Sequence, residues 1–416
     1  MLENIKSGLI LKLIFRNINK KLQLKLIKFN RNLTYKLNIG INDYKIYQTL
    51  TEFNKKYSLK IEDNNIEKID IIDISNNDIK EIVNYMNKIE FKKLKQLSIT
   101  AQYAKYYCFN SHFSVITILK DVKLEKLEKL NLWGDVVPNI DELENVNLNQ
   151  LKELNLRNNK IYDISVIKNV SFKNLEILNL SDNFIVNIDI LEYADFRNLK
   201  KLILQRNKIS DITVLSLVKF NKLELLDLDK NRIKDINIFQ IVNFKELKYL
   251  YLFCNLITDI SVFEKVNFEK LEKLYLGYNY IIDISVFERV NLKNLKYLGL
   301  HYNEITNISV LENLKLDNLE YLYLCNNKIE NINVLEKMDF KKLKKLNLSQ
   351  NKIEDIDILY KINYKKLEFL NLSNNYKLLK NYYIDIFLKD FNNQIKYIYP
   401  NLKIIIHLYN DKHNIY

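Results

Sequence analysis

The stretch LKELNLRNNKIYDISVIKNVSFKN, residues 151–174, decides the fold because its pattern recurs along most of the chain. Its first leucine returns every 24 residues, at Leu151, Leu175, Leu199, Leu223, Leu247, Leu271, Leu295, Leu319, Leu343 and Leu367. Each unit follows L-x-x-L-x-L-x-x-N-x-I-x-x-I, and its asparagines form an unbroken column: Asn159, Asn183, Asn207, Asn231, Asn255, Asn279, Asn303, Asn327 and Asn351. A fixed period of this length predicts one structural unit per repeat, stacked on its neighbours into a solenoid.

The alternation of leucines within each unit predicts a short β-strand. Successive side chains of a strand point to opposite faces, so Leu154 and Leu156 are expected in the core while Glu153 and Asn155 face outward. The asparagine column is expected to bond unpaired backbone groups of the next coil, and losing one such side chain should cost about 1–3 kcal/mol. We therefore interpret this column as a structural ladder.

A second column predicts short helices on the other side of each coil. The position after the recurring Asp-Ile or Asn-Ile pair holds residues that favour helix N-caps: Ser165, Asp189, Thr213, Asn237, Ser261, Ser285, Ser309, Asn333 and Asp357. Three residues later, six of these nine units carry the acidic or amide residue of a capping box: Glu192, Gln240, Glu264, Glu288, Glu312 and Glu336. A phenylalanine column before the next strand is expected in the core: Phe172, Phe196, Phe220, Phe244, Phe268 and Phe340.

The repeats extend upstream and stop before the C-terminus. Fainter copies beginning at Ile69, Leu94 and Leu127 give about thirteen units over residues 69–375. The unit at Leu94 is 33 residues long, and its additional residues include an aromatic group: Tyr103, Tyr106, Tyr107, Phe109 and Phe113. This aromatic loop either fills space against the solenoid or contacts a partner. Residues 376–416 lose the pattern and are expected to form a C-terminal cap.

The repeated string resembles the leucine-rich repeat, and its 24-residue unit is most similar to the short internalin and phosphatase-regulator subclass. The resemblance implies an α/β fold. It would be a right-handed solenoid with a curved parallel β-sheet on the concave side and short capped helical turns on the convex side. Function in such a fold belongs to the exposed strand positions, where a rigid sheet presents side chains to a partner.

The first 60 residues carry most of the net charge. They contain 13 Lys or Arg and three acidic residues, which gives +10 of the total +13. Ile10, Ile14 and Ile18 lie at helical spacing, so two or three amphipathic helices are predicted in this segment.

Residues 1–45 resemble the F-box, an adaptor motif that often accompanies leucine-rich repeats in ubiquitin ligases, although the usual Leu-Pro opening and later Trp are absent. The alternatives are a plain helical cap for the solenoid and a basic contact with a membrane or nucleic acid. Residues 46–68 are expected to be a linker or part of the cap.

Composition argues against catalysis. With 5 Gly and 2 Pro in 416 residues, the chain has no glycine-rich phosphate loop. Its cysteines and histidines lack metal-site spacing, and Cys254 and Cys325 are expected roughly 14 Å apart, too far for a disulfide. No signal peptide or membrane span is predicted. We therefore expect a cytoplasmic, non-enzymatic protein without cofactor, metal or small-molecule substrate.

The outward strand positions change character along the solenoid. The twelve such positions in the four units from Leu151 to Glu246 hold no aromatic residue, whereas seven of twelve in the next four units are aromatic. We predict partner binding by these residues and by a histidine among them: Tyr249, Tyr251, Phe253, Tyr275, Tyr297, His301, Tyr321 and Tyr323. The alternative is a ladder of tyrosines that stack between neighbouring strands.

These features together predict a protein-interaction scaffold that binds a protein partner on its concave face. The sharper version is a substrate receptor of an F-box ubiquitin ligase, with the ligase adaptor bound at residues 1–45. A regulatory subunit of an enzyme and an internalin-like surface adhesin are the alternatives.

Overall fold

The computed structural model contains an open, curved sheet of 14 parallel strands that pair in chain order. It describes residues 41–62, 64–72, 76–100, 116, 119–120, 122, 124–134, 137, 139–338, 342–362, 366–375 and 402–405. The strands are β1 (Lys68–Ile72), β2 (Gln96–Thr100), β3 (Lys129–Trp133), β4 (Glu153–Asn155), β5 (Ile177–Asn179), β6 (Lys201–Ile203), β7 (Leu225–Asp227), β8 (Tyr249–Tyr251), β9 (Lys273–Tyr275), β10 (Tyr297–Gly299), β11 (Tyr321–Tyr323), β12 (Lys345–Asn347), β13 (Phe369–Asn371) and β14 (Lys403–Ile405).

A short 3-10 helix follows each strand from β3 to β12 on the opposite side of the coil. The bounds of these helices are Asp141–Asn145, Ser165–Asn169, Asp189–Tyr193, Thr213–Ser216, Asn237–Gln240, Ser261–Glu264, Ser285–Glu288, Ser309–Asn313, Asn333–Glu336 and Asp357–Tyr360. The predicted solenoid, with a parallel sheet on one side and helical turns on the other, is confirmed.

The core is one continuous column of side chains between the sheet and the helical turns. The repeat leucines are buried, as Leu271, Leu274 and Leu276 illustrate with 0 % exposure. Phe172, Phe196, Phe220, Phe244 and Phe268 are each 1 % exposed, whereas Phe340 lies outside the described residues. Since these coils contact their neighbours through the same columns, each paired residue from β3 to β13 is in register with the residue 24 positions away.

The asparagine column lies in the core beside the strands. The Asn279 amide nitrogen donates to the carbonyls of Leu252 (2.9 Å) and Leu276 (3.1 Å). Its oxygen accepts from the amide of Ile257 (3.0 Å). Leu252 and Ile257 belong to the preceding coil, so each asparagine ties its own coil to the one before it rather than to the next one. The nine residues of the column are 0 to 9 % exposed.

The predicted N-cap column was wrong. Ser165 and its equivalents occupy the first helical position and form no capping hydrogen bond with their side chains. The acceptor lies two residues earlier: Asp163 Oδ1 accepts from the amide of Ser165 (2.8 Å), and Asp259 does the same for Ser261 (2.8 Å). A 3-10 helix this short begins directly after a sharp bend, and an Asx turn reaches its first free amide.

Three of the five predicted capping-box glutamates, Glu264, Glu312 and Glu336, make ion pairs with the following coil. Glu264 pairs with Arg289 (3.0 Å), and Glu312 pairs with Lys337 (3.1 Å). Both partners belong to the following repeat, so these side chains link neighbouring convex turns instead of closing their own helix.

A column of alternating charge, which sequence reasoning missed, precedes the strands. It reads Glu128, Lys152, Glu176, Lys200, Glu224, Lys248, Glu272, Lys296, Glu320, Lys344 and Glu368, so its period is two repeats. Each of the five lysines pairs with the glutamate of the preceding coil at 2.7 to 3.0 Å. The strict alternation of sign along the sequence was the signal for this ladder.

Among the residues that the structure describes, two α-helices lie at the N-terminal end. Helix α1 (Ile41–Lys56) contacts α2 (Asn76–Ile89), which follows β1. Phe53 is fully buried, and its ring lies 5.4 Å from that of Tyr85 on α2. Helix α1 crosses the predicted division between residues 45 and 46. The F-box-like motif lies almost entirely outside the described residues.

The last strand falls inside the segment expected to be a cap. Strand β14 pairs with β13, and Leu402 and Ile404 pack against the core. The rest of residues 376–416, and the aromatic loop with Tyr103 to Phe113, lie outside the described residues. Cys254 and Cys325 follow β8 and β11, three strands apart, and both are free. In the described part of the chain no helix is long and apolar enough to cross a bilayer.

Candidate functional site

The eight residues predicted to bind a partner lie together on the outer side of β8 to β11. We call Tyr249, Tyr251, Phe253, Tyr275, Tyr297, His301, Tyr321 and Tyr323 the aromatic surface. All eight are half-buried. The parallel register sets Tyr251 beside Tyr275, and Tyr297 beside Tyr321. A two-residue side-chain period and a fixed register are sufficient to bring these residues onto one face.

Four tyrosine rings form a continuous row across β8, β9, β10 and β11. The rings of Tyr251 and Tyr275 stack with their centroids 4.6 Å apart and their planes at 12°. Tyr297 lies 4.4 Å from Tyr275 and 5.1 Å from Tyr323. The predicted stacking between neighbouring strands is therefore present. The tyrosines of the row remain half-exposed, so the row is accessible from the concave side.

Gly299 makes this row possible. It is the register partner of both Tyr275 and Tyr323, so an outward side chain is missing between them. The ring of Tyr297 covers this gap, and a Cβ added to Gly299 would lie 3.2 Å from that ring. Tyr251, Tyr275 and Tyr323 therefore share one register column with Gly299, and the Tyr297 ring enters this column from a position two residues earlier on β10.

Gly277 plays the same part for a second, shorter row. The ring of His301 covers Gly277, where an added Cβ would come within 2.6 Å of the imidazole. His301 thereby stacks on Phe253, two strands away, at 5.6 Å. Its Nδ1 is buried and has no hydrogen-bond partner among the described residues. Burial lowers the pKa of His301, so the ring behaves as a neutral aromatic group near pH 7.

The tyrosines of the row remain neutral over a wide pH range. Burial raises the pKa of Tyr251 to about 12, and neighbouring Tyr275 adds to the effect. Burial is also the main reason why the pKa values of Tyr275, Tyr297 and Tyr323 are raised. The aromatic surface thus presents apolar ring faces with uncharged hydroxyl groups.

An acidic pair, Asp227 and Asp229, borders the aromatic surface on its β7 side. Asp227 is the register partner of Tyr251, and Asp229 accepts a hydrogen bond from the amide of Phe253 (2.7 Å). Burial raises the pKa of Asp227 to about 6. Burial and then the charge of Asp227 raise the pKa of Asp229 to about 7. Sequence reasoning counted both among the polar outward positions and missed their burial beside the rings.

A lateral patch continues the aromatic surface around the edge of the coil. It consists of Leu256, Tyr278, Tyr280, Ile282 and Tyr302, which are 42 to 62 % exposed. The Tyr278 ring lies 5.8 Å from Phe253 and 5.3 Å from Tyr302. The sequence signal for this patch is a cluster of apolar and aromatic residues at turn positions. The equivalent positions of the other repeats hold mostly polar residues.

Tyr278 and Tyr302 also have left-handed backbone conformations, with φ of 57° and 54°. The same position is left-handed in other repeats, where it mostly carries a polar or charged residue, as in Asn158, Asp182 and Asn326. Bulky residues with positive φ are rare because their Cβ crowds the backbone, and asparagine and aspartate tolerate it better. Two tyrosines are therefore kept here in spite of a local conformational cost.

No group of three or more His, Cys, Asp and Glu side chains is arranged to hold a metal ion within the residues that the structure describes. Cys325, behind the tyrosine row, is half-buried, and burial raises the pKa of its thiol, which disfavours the nucleophilic thiolate. The described geometry is suited to non-covalent recognition.

Two family models match the repeats. The model described as "Leucine rich repeat" matches residues 197–257 and 221–281. The model described as "Leucine Rich repeats (2 copies)" matches residues 149–193, 269–313 and 293–337. No curated protein matches the chain by sequence.

Several solved structures are similar to the chain. An internalin, InlF, from Listeria monocytogenes is 24 % identical, with a TM-score of 0.57, over 79 % of this chain and 98 % of its own. Internalin C2 from the same organism is 27 % identical over 50 % of this chain and 83 % of its own, with a TM-score of 0.40. A leucine-rich repeat protein of Leptospira interrogans is 20 % identical over 82 % of this chain and 90 % of its own, with a TM-score of 0.43.

The likeness to InlF concerns the fold alone, and it agrees with the parallel sheet and convex turns described above. The family models match the repeats themselves and agree with the buried leucine and asparagine columns, so the chain is a leucine-rich repeat protein.

Proposed function

We propose that the chain is a non-catalytic scaffold that binds a protein partner through the aromatic surface. The observation that carries the proposal is the stacked row from Tyr251 to Tyr323, a preorganised face of rings on a rigid sheet. Tyrosine gives a large contact area with few rotatable bonds to restrict, so such a face binds at a low entropic cost.

The lateral patch supports the same proposal. Its residues are more exposed than those of the row and would bury more new surface in a complex. Tyr278 and Tyr302 adopt a backbone conformation that is unfavourable for their size, and local strain of this kind is often found at functional sites. A partner that contacts both surfaces would cover part of the concave face and extend over one edge of the solenoid.

The proposal is tested with peptides selected from a displayed random library on the immobilised full-length chain. Tyr275→Ala, at the centre of the row, should weaken binding of the dominant peptides about thirtyfold, which corresponds to the loss of a central hot-spot residue. The measurement is the dissociation constant by calorimetry.

Tyr193→Ala is the matched control for this experiment. Tyr193 ends a convex 3-10 helix and is 65 % exposed. Its replacement by alanine removes the same kind of side chain as Tyr275→Ala does, but on the convex side, away from the sheet. Both variants must keep the wild-type circular dichroism and melting temperature, because the loss of a cross-strand ring stack costs up to about 1 kcal/mol. Equal losses of affinity, or selected peptides that bind only the convex turns, would refute the concave site.

The sharper candidate is a substrate receptor of a ubiquitin ligase, acting inside the cell. It is favoured by the basic N-terminal segment, whose helical pattern resembles an F-box. A chain lacking residues 1–40 should no longer bind a purified cullin-ligase adaptor, whereas the melting temperature of the solenoid should be unchanged. This deletion ends before α1 and so spares its contacts with α2.

Retained adaptor binding would remove the F-box candidate, and a lower melting temperature would favour an N-terminal cap. Binding of the intact chain to acidic lipid vesicles that disappears with added salt would instead favour the basic surface contact. A regulatory subunit and a surface adhesin are the remaining alternatives, and both would also use the aromatic surface.

A further inference from the structure

The negative charge of Asp227 is not needed for the fold of its own coil. Its Oδ1 accepts a hydrogen bond from the amide two residues later (3.1 Å). At the same position of four other repeats, an asparagine oxygen makes the same bond at 3.0 to 3.1 Å: Asn155, Asn179, Asn347 and Asn371. A neutral amide therefore suffices for this turn, and the charge of Asp227 has no role in it.

The acidic pair also lacks a counter-ion. Neither Asp227 nor Asp229 forms an ion pair with any residue that the structure describes. Lys230 has its amine 5.9 Å from the Phe253 ring and is the weakest of the influences on the pKa of Asp229. The outward residues in line with the pair on the adjacent coils are uncharged: Ile203, Gln205, Tyr251 and Phe253. Lys201, the outward cation of β6, lies in register with Leu225.

An uncompensated carboxylate that is largely removed from water is unfavourable, and Asp229 is only 9 % exposed. A cation placed beside it would remove this penalty. The adjoining ring of Tyr251 offers a second attraction, because the face of an aromatic ring attracts cations. Two carboxylates beside a ring match the planar guanidinium group, which can donate N–H bonds to the carboxylates along one edge and stack its face on the ring.

We propose that the protein partner inserts a basic side chain, preferably arginine, against the acidic pair and the face of Tyr251. This inference rests on the proposed function, since it specifies the chemistry of the partner that the aromatic surface binds. The occupant is a segment of another protein that combines apolar residues for the tyrosine row with one cation at its β7 end.

The proposal fixes the sign of a pH effect. Burial raises the pKa of Asp227 to about 6 and that of Asp229 to about 7, so part of the pair is protonated in the free chain near neutrality. A cation favours the ionised carboxylates. Binding therefore releases protons and becomes tighter as the pH rises from roughly 5.5 to 8.

The other groups around the pair do not produce this effect. Burial raises the pKa values of Tyr251 and Tyr275 further above this range. His301, beyond Phe253, has a pKa lowered by burial. Ile203 and Gln205 on the β6 side do not titrate.

The experiment uses the selected peptides whose binding requires Tyr275. Each arginine or lysine of a peptide is replaced in turn by its neutral analogue, citrulline or acetyl-lysine, and dissociation constants are measured at pH 6 and pH 8. On the wild-type chain, one such replacement should weaken binding about thirtyfold or more at pH 8. On the double variant Asp227→Asn, Asp229→Asn the same replacement should have little effect, and the pH dependence should disappear.

The double variant keeps an oxygen at each position, so the amide bonds to Asp229 and Phe253 can still form. Glu153→Gln, on the outward face of β4, is the control and should behave as the wild type.

Two outcomes would overturn the inference and leave the proposed function standing. One is that the Tyr275-dependent peptides contain no essential basic residue, and the other is that the replacements have equal effects on the wild type and the double variant. The absence of any Tyr275-dependent peptide would overturn both. If deletion of residues 1–40 makes peptide binding tighter, the chain's own basic segment occupies the acidic pair in the intact chain. That result would also overturn the inference that a separate protein supplies the basic side chain.

Discussion

At the scale of single residues, the asparagine column illustrates why one position of the repeat is nearly invariant within this chain. Each strand ends at a bend where carbonyl and amide groups of the preceding coil have no strand partner. Asn279 satisfies groups on two coils, since it donates to the carbonyl of Leu252 and accepts from the amide of Ile257. An amide side chain has both a donor and an acceptor at the required spacing, and leucine or serine would leave one of these buried groups unpaired.

Asn279→Ala is expected to destabilise the solenoid by about 1–3 kcal/mol, because it leaves buried backbone groups of two coils without partners. Urea unfolding followed by circular dichroism measures the change, and amide hydrogen exchange should increase in both the Asn279 coil and the preceding one. Asn294→Ala is the matched control, since Asn294 is exposed and donates one bond to the carbonyl of Glu269. Unchanged stability of the Asn279 variant would contradict a structural role for the column.

The residue scale also explains the shape of the aromatic surface. Two glycines, Gly277 and Gly299, leave gaps in the outward columns, and the rings of His301 and Tyr297 cover them. The rings therefore contact residues that are not their register partners, as His301 does with Phe253. A side chain at Gly277 would displace the His301 ring, whereas one at Gly299 would require only a small shift of the Tyr297 ring.

At the scale of secondary-structure elements, each 3-10 helix is too short to be stable by itself and depends on its first turn and on packing. The aspartate or asparagine before the repeat's isoleucine provides the first-turn hydrogen bond, as Asp259 does for the helix Ser261–Glu264. The residue that composition marks as an N-cap, Ser261, is the first residue of the helix and forms no cap with its side chain.

Asp259→Ala is expected to lower the free energy of unfolding by about 1 kcal/mol, the usual value of a lost helix cap. Ser261→Ala at the predicted cap should change it by much less. The two variants are compared by urea unfolding under the same conditions, and the reverse order would restore the N-cap column that sequence reasoning assigned.

At the scale of the whole molecule, an open sheet has two edges, and an unprotected edge invites pairing with another chain. Strand β14 covers the C-terminal side of β13, with Ile404 in register with Leu370 and the amide of Leu372 bonded to the carbonyl of Ile405 (2.8 Å). This strand lacks the asparagine of the repeats, so it ends the array without offering the same ladder to a further coil.

Ile404→Asp is expected to lower stability by about 1–3 kcal/mol and to promote self-association, because a charge on the inner side of β14 opposes its docking and exposes β13. Thermal unfolding and light scattering measure the two effects. Lys403→Ala, on the outward side of the same strand, is the control and should keep the stability and the association state of the wild type. Wild-type behaviour of the Ile404 variant would mean that β14 is not required to protect the edge.

The sequence by itself determined the repeat, the positions of β1 to β13 and the inward and outward faces, whereas β14 lies in the segment expected to be a cap. The physical reason is that each coil buries the same residue types against copies of itself, so the period in Leu151 to Leu367 fixes the register from β4 to β13. It also located the aromatic surface, because the side-chain period of two assigns every outward position from β8 to β11. The division into cap, linker and solenoid at residues 45 and 68 stays a prediction.

The tertiary structure alone decided which outward residues contact each other and which are buried from solvent. Tyr297 reaches Tyr275 and Tyr323 because Gly299 leaves room, and Asp229 is buried because Phe253 of the next coil packs beside it. Each of these facts depends on the neighbouring coil as much as on the residue itself. A repeat pattern averages over coils and contains no information on such differences, so the burial of the acidic pair and the entry of the Tyr297 ring into the row emerge only when the coils are stacked.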